Sequence, residues 1–511
     1  MPEDKTILGL LKKFEDCNAI ALSAPDRSNL TYEKLLDLIE RNVFKINKIG
    51  IGRNDRVAIV LANGPEMASA LVIFSAATTT APLNPSYKRE EYRFFFQDLK
   101  AKVLVVEEHS TSASIKAAND LGIPVIRLRV EATMAAGEFD ILVEDDIKNA
   151  GNSVSTGFVQ ADDVGLLLHT SGTTSRPKLV PLSQRNLVAS AINIGQTLSL
   201  TKDDRSINIM PLFHIHGIVS VILSSLTSGA SVYCTPGFNT LKVFRWFQDS
   251  KPSWYSAVPT MHQAILSRAK NNTNILSKMK LRFVRSSSSS LPHQVMAELE
   301  KVFHCPVIEA YGMTEATHQM ASNPLPPAIR KPDTVGIATG PEVAIMNDQG
   351  KLLKSGKIGE IVIKGDNVFK GYENNPTANA QNFINGWFRT GDQGVLDAEG
   401  YLSITGRLKE IINRGGEKIS PREVDEVLLD HPAVLQAVTF AVPHDKLGED
   451  VAAVVVLRRG VMVSEGDIRN FSLQHLADFK VPRKIIFMDE IPKGVTGKLQ
   501  RIGLAKKLGL A

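Results

Sequence analysis

The chain has 511 residues, of which 43% are hydrophobic and 22% are charged, a balance typical of soluble globular proteins rather than disordered or fibrous ones. Such a length predicts about two to four folding units with large cores, and the net charge of +5 favours neither nucleic acid nor an anionic membrane as a partner. The cysteines Cys17, Cys234 and Cys305 lie far apart in sequence, which excludes a disulfide framework and a C-x-x-C metal site.

The N-terminal segment, MPEDKTILGLLKKFED, carries early acids and no long apolar run, so it does not resemble a secretory signal. The longest apolar stretch, MASALVIFSAATTTAP, is interrupted by Ser and Thr and predicts a buried helix rather than a membrane span. The chain ends in LGLA, without an S-K-L address. We therefore expect a cytoplasmic protein with no membrane span.

Strand-like and helix-like runs alternate from about residue 55 and again after residue 164. This rhythm predicts an α/β fold with βαβ units and mostly parallel sheets, in which ligands bind beyond the carboxyl ends of the strands. The predicted strands are DRVAIVLAN, KVLVVEE, IPVIRLRV, VGLLLHT, RSINIMPLF, ASVYCTP, PSWYSAVP, KLRFVRS and CPVIEAY.

Around residue 335 the pattern changes to short strands with Gly turns, in VGIATGPEVAIMN, GEIVIKG and GYLSITGR. A small β-rich unit is expected over about 335–406, within an N-terminal domain of residues 1–406. Beyond it, Ser420 precedes Pro421 and is three residues before Glu423, the spacing of a helix cap. We predict a separate, small α+β domain over residues 407–511.

The stretch HTSGTTSRPKLV, residues 169–180, follows an apolar run and is rich in Thr, Ser and Gly. Small residues let the backbone approach a polyphosphate, hydroxyl and N–H groups donate to its oxygens, and Lys178 adds a positive charge. The pattern is not the G-x-x-x-x-G-K-[ST] loop. Taken alone, it is equally open to interpretation as a structural Ser/Thr-rich loop.

Four further motifs carry chemistry in the order EAYGMTEAT, WFRTGDQG, GRLKE and PKGVTGK. In the first, Tyr311 could stack on a base, Thr314 could bind a phosphate, and Glu315 could bind Mg²⁺, a hard cation that prefers oxygen ligands. Asp392, placed by the pattern in a Gly turn, could accept hydrogen bonds from a ribose diol. Each motif alone could equally be a surface turn.

Together, TSGTTSRPK, YGMTE, FRTGD, GRLKE and PKGVTGK resemble, in order and spacing, the AMP-forming acyl-CoA synthetases. That superfamily includes 4-coumarate ligases, luciferases and the adenylation domains of peptide synthetases. The resemblance covers essentially the whole chain. It implies a large N-terminal domain with two βα-layered sheets and a mobile C-terminal domain. It also implies ATP, Mg²⁺ and coenzyme A as partners in a two-step reaction through an acyl-adenylate.

The resemblance also implies roles by position. The loop from Thr170 to Thr174, together with Lys178, would hold the departing phosphates. Glu315 would bind the metal, and Lys498 would bridge the acyl carboxylate and the α-phosphate. The catalytic set would be Lys498, Thr314, Glu315 and His214. The nucleotide contacts would be Thr170, Ser171, Gly172, Thr173, Thr174, Lys178, Glu309, Ala310, Tyr311, Thr314, Asp392, Arg407 and Lys498.

In the family the C-terminal domain rotates between the two half-reactions. Lys409, just after the GR of GRLKE, matches the hinge. Gly415 and Gly416 match the loop that moves to the thiol tunnel. A monomer or a weak homodimer is expected.

Three side chains are candidates for binding the acid: His214 in MPLFHIHG, Ser288 in RSSSSSLP and His318 in ATHQM. Hydroxyls and imidazoles would suit a short polar acid whose second carboxylate needs donors. With the adjoining SNPLPP, this set resembles the oxalyl-CoA synthetases of plants and fungi. Gly312 stands where those enzymes have Ala, and SSSSS where they have Cys and Ala among the serines. Both departures predict a wider pocket.

Two other activities stay open. One is a medium-chain or aromatic, 4-coumarate-like acyl-CoA synthetase on the same scaffold, in which His214 is generic and His318 only packs. The other is a stand-alone enzyme that loads an amino acid onto a carrier protein. Such enzymes usually have an Asp near the His214 segment, and MPLFHIHG has none.

Overall fold

The structure, a computed structural model, describes residues 5–143, 155–170, 177–494 and 498–511. Every strand predicted from the sequence is present in it. In chain order the strands are β1 (Ile20–Ser23), β2 (Leu30–Thr31), β3 (Arg56–Val60), β4 (Thr79–Pro82), β5 (Val103–Glu107), β6 (Val125–Arg129), β7 (Asp140–Val143), β8 (Val164–Thr170), β9 (Lys178–Ser183), β10 (Arg205–Asn208), β11 (Ser231–Cys234), β12 (Trp254–Ala257), β13 (Phe283–Ser287), β14 (Val307–Met313), β15 (His318–Ser322), β16 (Ile337–Ala338), β17 (Glu342–Met346), β18 (Gly359–Lys364), β19 (Phe383–Ile384), β20 (Trp387–Leu396), β21 (Leu402–Arg407), β22 (Ile412–Arg414), β23 (Glu417–Ile419), β24 (Val434–His444), β25 (Gly448–Leu457) and β26 (Lys484–Phe487).

Helices alternate with these strands, and several begin at capping residues that the sequence supplies. Ser183 caps α6 as part of a capping box, and Pro65 occupies the first turn of α3. The helices are α1 (Ile7–Leu11), α2 (Tyr32–Lys48), α3 (Pro65–Ser75), α4 (Arg89–Leu99), α5 (Ala113–Asp120), α6 (Gln184–Thr197), α7 (Ser224–Thr227), α8 (Val243–Ser250), α9 (Pro259–Ala269), α10 (Thr273–Leu276), α11 (His293–Phe303), α12 (Pro376–Asn382), α13 (Pro421–Asp430), α14 (Glu465–His475) and α15 (Leu504–Lys507), with a π-helix at His216–Leu223.

Two large sheets dominate the fold, and both are mostly parallel. The nine-stranded sheet has the order β16-β15-β14-β13-β12-β10-β11-β1-β2 and is parallel from β14 to β1. The seven-stranded sheet has the order β7-β6-β5-β3-β4-β8-β9 and is parallel from β6 to β8. The carboxyl ends of β8, β13 and β14 lead directly into the residues at which the sequence predicts a site.

A shared apolar core joins the two large sheets. Ile59 of β3, Phe74 of α3, Val232 of β11 and Trp254 of β12 belong to one buried cluster. The apolar stretch around α3 is buried, as predicted, although its second half forms strand β4 rather than more helix. In the part of the chain that the structure describes, no helix is both long and apolar enough to cross a membrane.

Two smaller sheets, of five strands each, follow along the chain. Strands β17 to β21 form the first, in the order β17-β18-β20-β19 with β21 paired to β20. Strands β22 to β26 form the second, in the order β23-β22-β25-β24 with β26 paired to β25. Strand β16, within the expected β-rich unit, pairs instead with β15 of the nine-stranded sheet.

Two local expectations are wrong. Asp392 does not lie in a turn: it lies within the ten-residue strand β20, at a bulge where Gly391 takes a positive φ of 77°. The bulge re-aims the side chain without ending the strand. Ser420 does precede helix α13, but its hydroxyl donates to the carbonyl of Thr405 instead of accepting from the first turn. The predicted cap is therefore replaced by a bond to strand β21.

Candidate functional site

Three separate motifs meet at the carboxylate of Asp392. Tyr311 donates its hydroxyl to Oδ2 at 2.5 Å, and Arg407 donates Nε to Oδ1 at 3.1 Å. Asp392 and Arg407 are directly opposite each other on β20 and β21, and the carboxylate raises the pKa of Arg407. Because each carboxylate oxygen has two lone pairs, Asp392 can still accept from a diol.

The neighbouring residues of β14 are held by β13 and the segment after it. Glu309 is buried and its Oε1 accepts from the backbone N–H of Leu291 at 3.2 Å. Burial raises the pKa of Glu309 to about 7. The carbonyl of Ala310 accepts from the Ser287 hydroxyl at 2.8 Å. The Glu309 carboxylate therefore binds the backbone at Leu291, and the Ala310 carbonyl binds Ser287. These two contacts fix this part of β14.

Glu315 follows β14 and is buried beside an aromatic ring that the sequence analysis did not single out. Tyr372 donates its hydroxyl to Glu315 Oε1 at 2.7 Å, and Lys178 Nζ lies 4.4 Å from the centre of the Tyr372 ring. Burial raises the pKa of Glu315, although Tyr372 and Lys178 oppose the rise. Glu315 is therefore a buried carboxylate close to Lys178, and a bound cation would stabilise its negative charge.

This arrangement fits Mg²⁺. That ion usually binds through one or two carboxylates, several waters and the phosphates of the substrate, rather than in an all-protein cage. The described residues contain no group of three or more His, Cys, Asp or Glu side chains able to hold a metal. Glu315 would hold the ion, which would neutralise phosphate charge when bound.

The phosphate loop lies partly outside the described residues. Thr170 ends β8 directly opposite Lys178, which begins β9, so the two ends of the loop are adjacent. Ser171, Gly172, Thr173 and Thr174 fall outside the described residues. Thr314 begins the 3₁₀ turn Thr314–Ala316 at the end of β14.

Lys498, near the C-terminal end of the chain, is electrostatically coupled to two groups of predicted site residues. Its surroundings lower its pKa to about 8, through burial first and the charge of Arg407 second, while Asp392 opposes the fall. Its charge also lowers the pKa values of His214 and His318, after burial. Lys498 therefore lies near enough to the predicted ribose contacts and to the predicted acid-binding residues for its charge to act on both.

The predicted acid-binding side chains converge around a histidine that the sequence analysis missed. His216 Nδ1 lies 3.0 Å from Ser288 Oγ, and its ring centre lies 5.1 Å from that of His318. The backbone N–H of His216 donates to His214 Nδ1 at 3.4 Å. Its position two residues after His214, in a strand-to-helix connection, is the signal that could have identified it.

The histidines of this pocket are neutral in the unliganded protein. Burial, and secondarily Lys498, lowers the pKa of His214 to about 3. Burial and the charge of Arg285 hold the pKa of His318 well below its usual range. The Nδ1 atom of His318 is buried and has no hydrogen-bond partner among the residues that the structure describes. An unpaired buried polar atom is costly, so this atom is positioned for a ligand.

Backbone strain is concentrated at the same place. Ser288 has a φ of 74°, Thr317 of 51° and His318 of 97°, all in the left-handed region that non-glycine residues seldom adopt. A Cβ built on Gly312 would lie 1.8 Å from the His318 carbonyl oxygen. The expectation that Gly312 widens the pocket is therefore wrong, because the space of the missing methyl is filled by the β15 backbone.

The predicted hinge lies between the two small sheets, and the predicted thiol-side loop lies within the second of them. Gly415 and Gly416, with φ of 60° and 101°, form the two-residue turn between β22 and β23, a conformation that glycine adopts without strain. Lys409 lies between β21 and β22 and is close enough to Lys178 for its charge to lower the Lys178 pKa.

Residues 12–373 match the family described as AMP-binding enzyme, and residues 423–498 match the AMP-binding enzyme C-terminal domain. The chain belongs to the AMP-binding enzyme family. It is 44% identical to an oxalate–CoA ligase of Arabidopsis thaliana, over 98% of each chain. It is 45% identical to an oxalate–CoA ligase of Saccharomyces cerevisiae, over 89% of this chain and 87% of the relative. The structure of ATP-bound MatB from Rhodopseudomonas palustris superimposes with a TM-score of 0.87 at 29% identity, covering 98% of both chains.

For this AMP-binding enzyme, Asp392→Ala should raise the KM for ATP about tenfold or more and leave the KM for the acid nearly unchanged. The KM for ATP should rise because the ribose diol loses its hydrogen bonds to a charged acceptor. Steady-state kinetics with each substrate varied in turn would measure it. Asp397→Ala, which removes a carboxylate just beyond the same strand that pairs with Lys331, is the matched control. An unchanged ATP KM with a raised acid KM would remove Asp392 from the nucleotide site.

Proposed function

We propose that the protein is an ATP-dependent carboxylate–CoA ligase that forms oxalyl-CoA from oxalate. In the first half-reaction, an acid oxygen attacks the α-phosphorus of ATP, the bond to the β-phosphate breaks, and pyrophosphate leaves with the acyl-adenylate formed. In the second, the thiol sulfur of coenzyme A attacks the acyl carbon, and AMP leaves as the thiol loses its proton. A carboxylate is a poor acyl donor, and adenylation gives it a good leaving group.

The nucleotide roles are supported by the contacts around Asp392 and Glu315. We infer that Tyr311, Asp392 and Arg407 hold the adenosine, and that Thr314 donates to the α-phosphate. The loop of residues 170–174 together with Lys178 would hold the departing phosphates. Because the first half-reaction joins two anions, Lys498 would lower its barrier by bridging the acyl carboxylate and the α-phosphate.

The choice of oxalate rests on one observation above all: the acid-binding residues form a polar cluster. Ser288 and His318 both lie next to His216, where a fatty or aromatic acid needs a small apolar wall. The unpaired His318 Nδ1 can take a proton donor's role toward an anion. The two oxalate–CoA ligases, at 44% and 45% identity, support the same substrate. A second carboxylate bound here would find donors that offset its desolvation.

The domain arrangement belongs to the proposal as well. Residues 1–406 would form the adenylating domain, with residues 407–511 as the mobile one and Lys409 as its hinge. Strand β21 ends at Arg407 and β22 begins a separate sheet at Ile412, which supports a boundary there. Rotation would withdraw Lys498 after the first half-reaction and bring Gly415 and Gly416 to the thiol.

We further propose that the enzyme acts in the cytoplasm as a monomer or a weak homodimer. The three cysteines are free thiols, which suits a reducing compartment.

ATP–pyrophosphate exchange across a panel of acids tests the proposed function. The panel should contain oxalate, malonate, butyrate, octanoate, 4-coumarate and an amino acid. We expect oxalate to give the highest kcat/KM, with malonate next among the rest. Butyrate, octanoate or 4-coumarate above oxalate would replace the proposal with a medium-chain or aromatic acyl-CoA synthetase. An amino acid in first place would instead indicate carrier loading.

A further inference from the structure

Arg285 is a buried positive charge at the centre of strand β13. It is 0% exposed, and each of its hydrogen bonds goes to a neutral acceptor. Nη1 donates to Ser220 Oγ at 2.7 Å and to Ser256 Oγ at 3.4 Å, and Nη2 donates to Gln319 Oε1 at 3.1 Å. Within the described part of the chain, its Nε has no partner. There the guanidinium is held by neutral dipoles.

A buried guanidinium normally faces a carboxylate, because an uncompensated charge is expensive to desolvate. Within the described ranges of the chain, Arg285 forms no ion pair with Asp or Glu, and its hydrogen bonds are those to Ser220, Ser256 and Gln319. Burial lowers the pKa of Arg285 to about 9, which leaves it charged at neutral pH. The fold therefore keeps Arg285 charged and buried, and we expect a bound anionic ligand to supply the opposite charge.

A chain of hydrogen bonds connects this cation to the acid-binding pocket. Ser256 Oγ lies 2.6 Å from His216 Nε2, and His216 Nδ1 lies 3.0 Å from Ser288 Oγ. Arginine can only donate, so Ser256 accepts from Arg285, and its own hydroxyl hydrogen is available for His216 Nε2. In the tautomer that accepts this hydrogen, His216 carries its proton on Nδ1 and donates to Ser288. That tautomer leaves the Ser288 hydroxyl hydrogen free for a ligand.

The positive charges near the predicted acid-binding residues favour an anion there. Arg285 and Lys498 both act on His216 and His318, whose pKa values they and burial hold well below the usual range. The histidines are therefore neutral, and the positive charge that acts on them comes from Arg285 and Lys498. Two cations acting on the same pair of histidines suit an acid with two carboxylates.

We propose that Arg285 is a specificity-determining positioning residue: its charge, relayed through Ser256 and His216, makes Ser288 a donor and favours the second carboxylate of a short dicarboxylic acid. This inference rests on the proposed function. Arg285 contacts neither reacting atom and acts through Ser256 and His216. Its effect should therefore appear in the choice of acid rather than in ATP binding.

The test compares oxalate with oxamate, in which a neutral amide replaces the second carboxylate at nearly the same size. Arg285→Met should lower kcat/KM for oxalate by about 10- to 100-fold relative to oxamate, the factor for losing a hydrogen bond to a charged group. The loss should lie mainly in the KM for oxalate, with the KM for ATP unchanged. Arg285→Lys, which keeps the charge, should recover part of the preference.

A second pair of variants keeps the test decisive if Arg285→Met does not fold. Ser256→Ala breaks the relay between Arg285 and His216 and should lower the preference for oxalate. Ser286→Ala removes a buried hydroxyl of the same strand that has no hydrogen-bond partner and should leave the preference unchanged.

The outcomes separate the two proposals. If the wild-type enzyme does not prefer oxalate to oxamate or to a fatty acid, the proposed function fails. If it does prefer oxalate, but Arg285→Met and Ser256→Ala reduce activity with oxalate and oxamate alike, the role of Arg285 is overturned and the residue is only structural.

Discussion

Lys498→Ala should nearly abolish formation of the acyl-adenylate while sparing transfer of the acyl group from a supplied adenylate to coenzyme A. Lys498 is buried within electrostatic range of Arg407, Asp392 and His214, which suits the proposed bridge between acid and α-phosphate. Losing one preorganised charged contact made in the transition state typically costs about 10²–10³ in rate. In the second half-reaction, the proposed rotation of residues 407–511 would have withdrawn Lys498 from the acid.

Single-turnover assays of each half-reaction would measure the effect. Lys493→Ala is the matched control, because Lys493 belongs to the same PKGVTGK loop but pairs with Glu490 at the surface. Lysine is charged below its pKa, so the pKa of about 8 predicts that kcat/KM for adenylation declines as pH rises through that value. Equal losses in both half-reactions, or a fall of less than tenfold in adenylation, would contradict the role.

His318→Ala should weaken activity toward oxalate by about 2–4 kcal/mol, the scale for leaving a buried charged group unpaired. It should affect butyrate much less. Among the described residues, the buried Nδ1 of His318 has no partner, and the residue holds a strained φ of 97° at the pocket. The imidazole is neutral before the acid binds, since Arg285 and burial depress its pKa. A bound dianion would offset part of that depression and strengthen the contact.

The measurement is kcat/KM for oxalate and butyrate in wild type and variant. His304→Ala is a suitable control, because His304 also has a positive φ, of 53°, but is exposed at the end of helix α11. A variant that loses activity toward both acids in the same proportion would show that His318 only packs.

Much of the fold can be predicted from the sequence because the predicted strands of the large sheets are short, mostly apolar runs followed by polar residues. Strand β8 is readable in VGLLLHT for that reason. The bulge at Asp392 is not readable, since a Gly within a polar run is compatible with either a turn or a strand. Pairing with β18 and β21 decides the matter.

The candidate site is predictable to the same extent: the motif residues proposed to bind the nucleotide are visible in the sequence, but their partners are not. Nothing in the sequence near Glu315 points to Tyr372, which is 57 residues away. Arg285 looks like one more charged residue in RSSSSSLP, and only burial on β13 reveals that its charge is uncompensated. Protonation is equally hidden, because the neutral state of His214 depends on its burial and on the charge of Lys498, which lies far away in the sequence.

The most direct test of the whole account is to incubate the enzyme with oxalate, ATP, Mg²⁺ and coenzyme A and to quantify every product. The account predicts one AMP, one pyrophosphate and one oxalyl thioester for each oxalate consumed, at a higher kcat/KM than with butyrate or 4-coumarate. Release of ADP, absence of the thioester, or a clear preference for a monocarboxylic acid would contradict it.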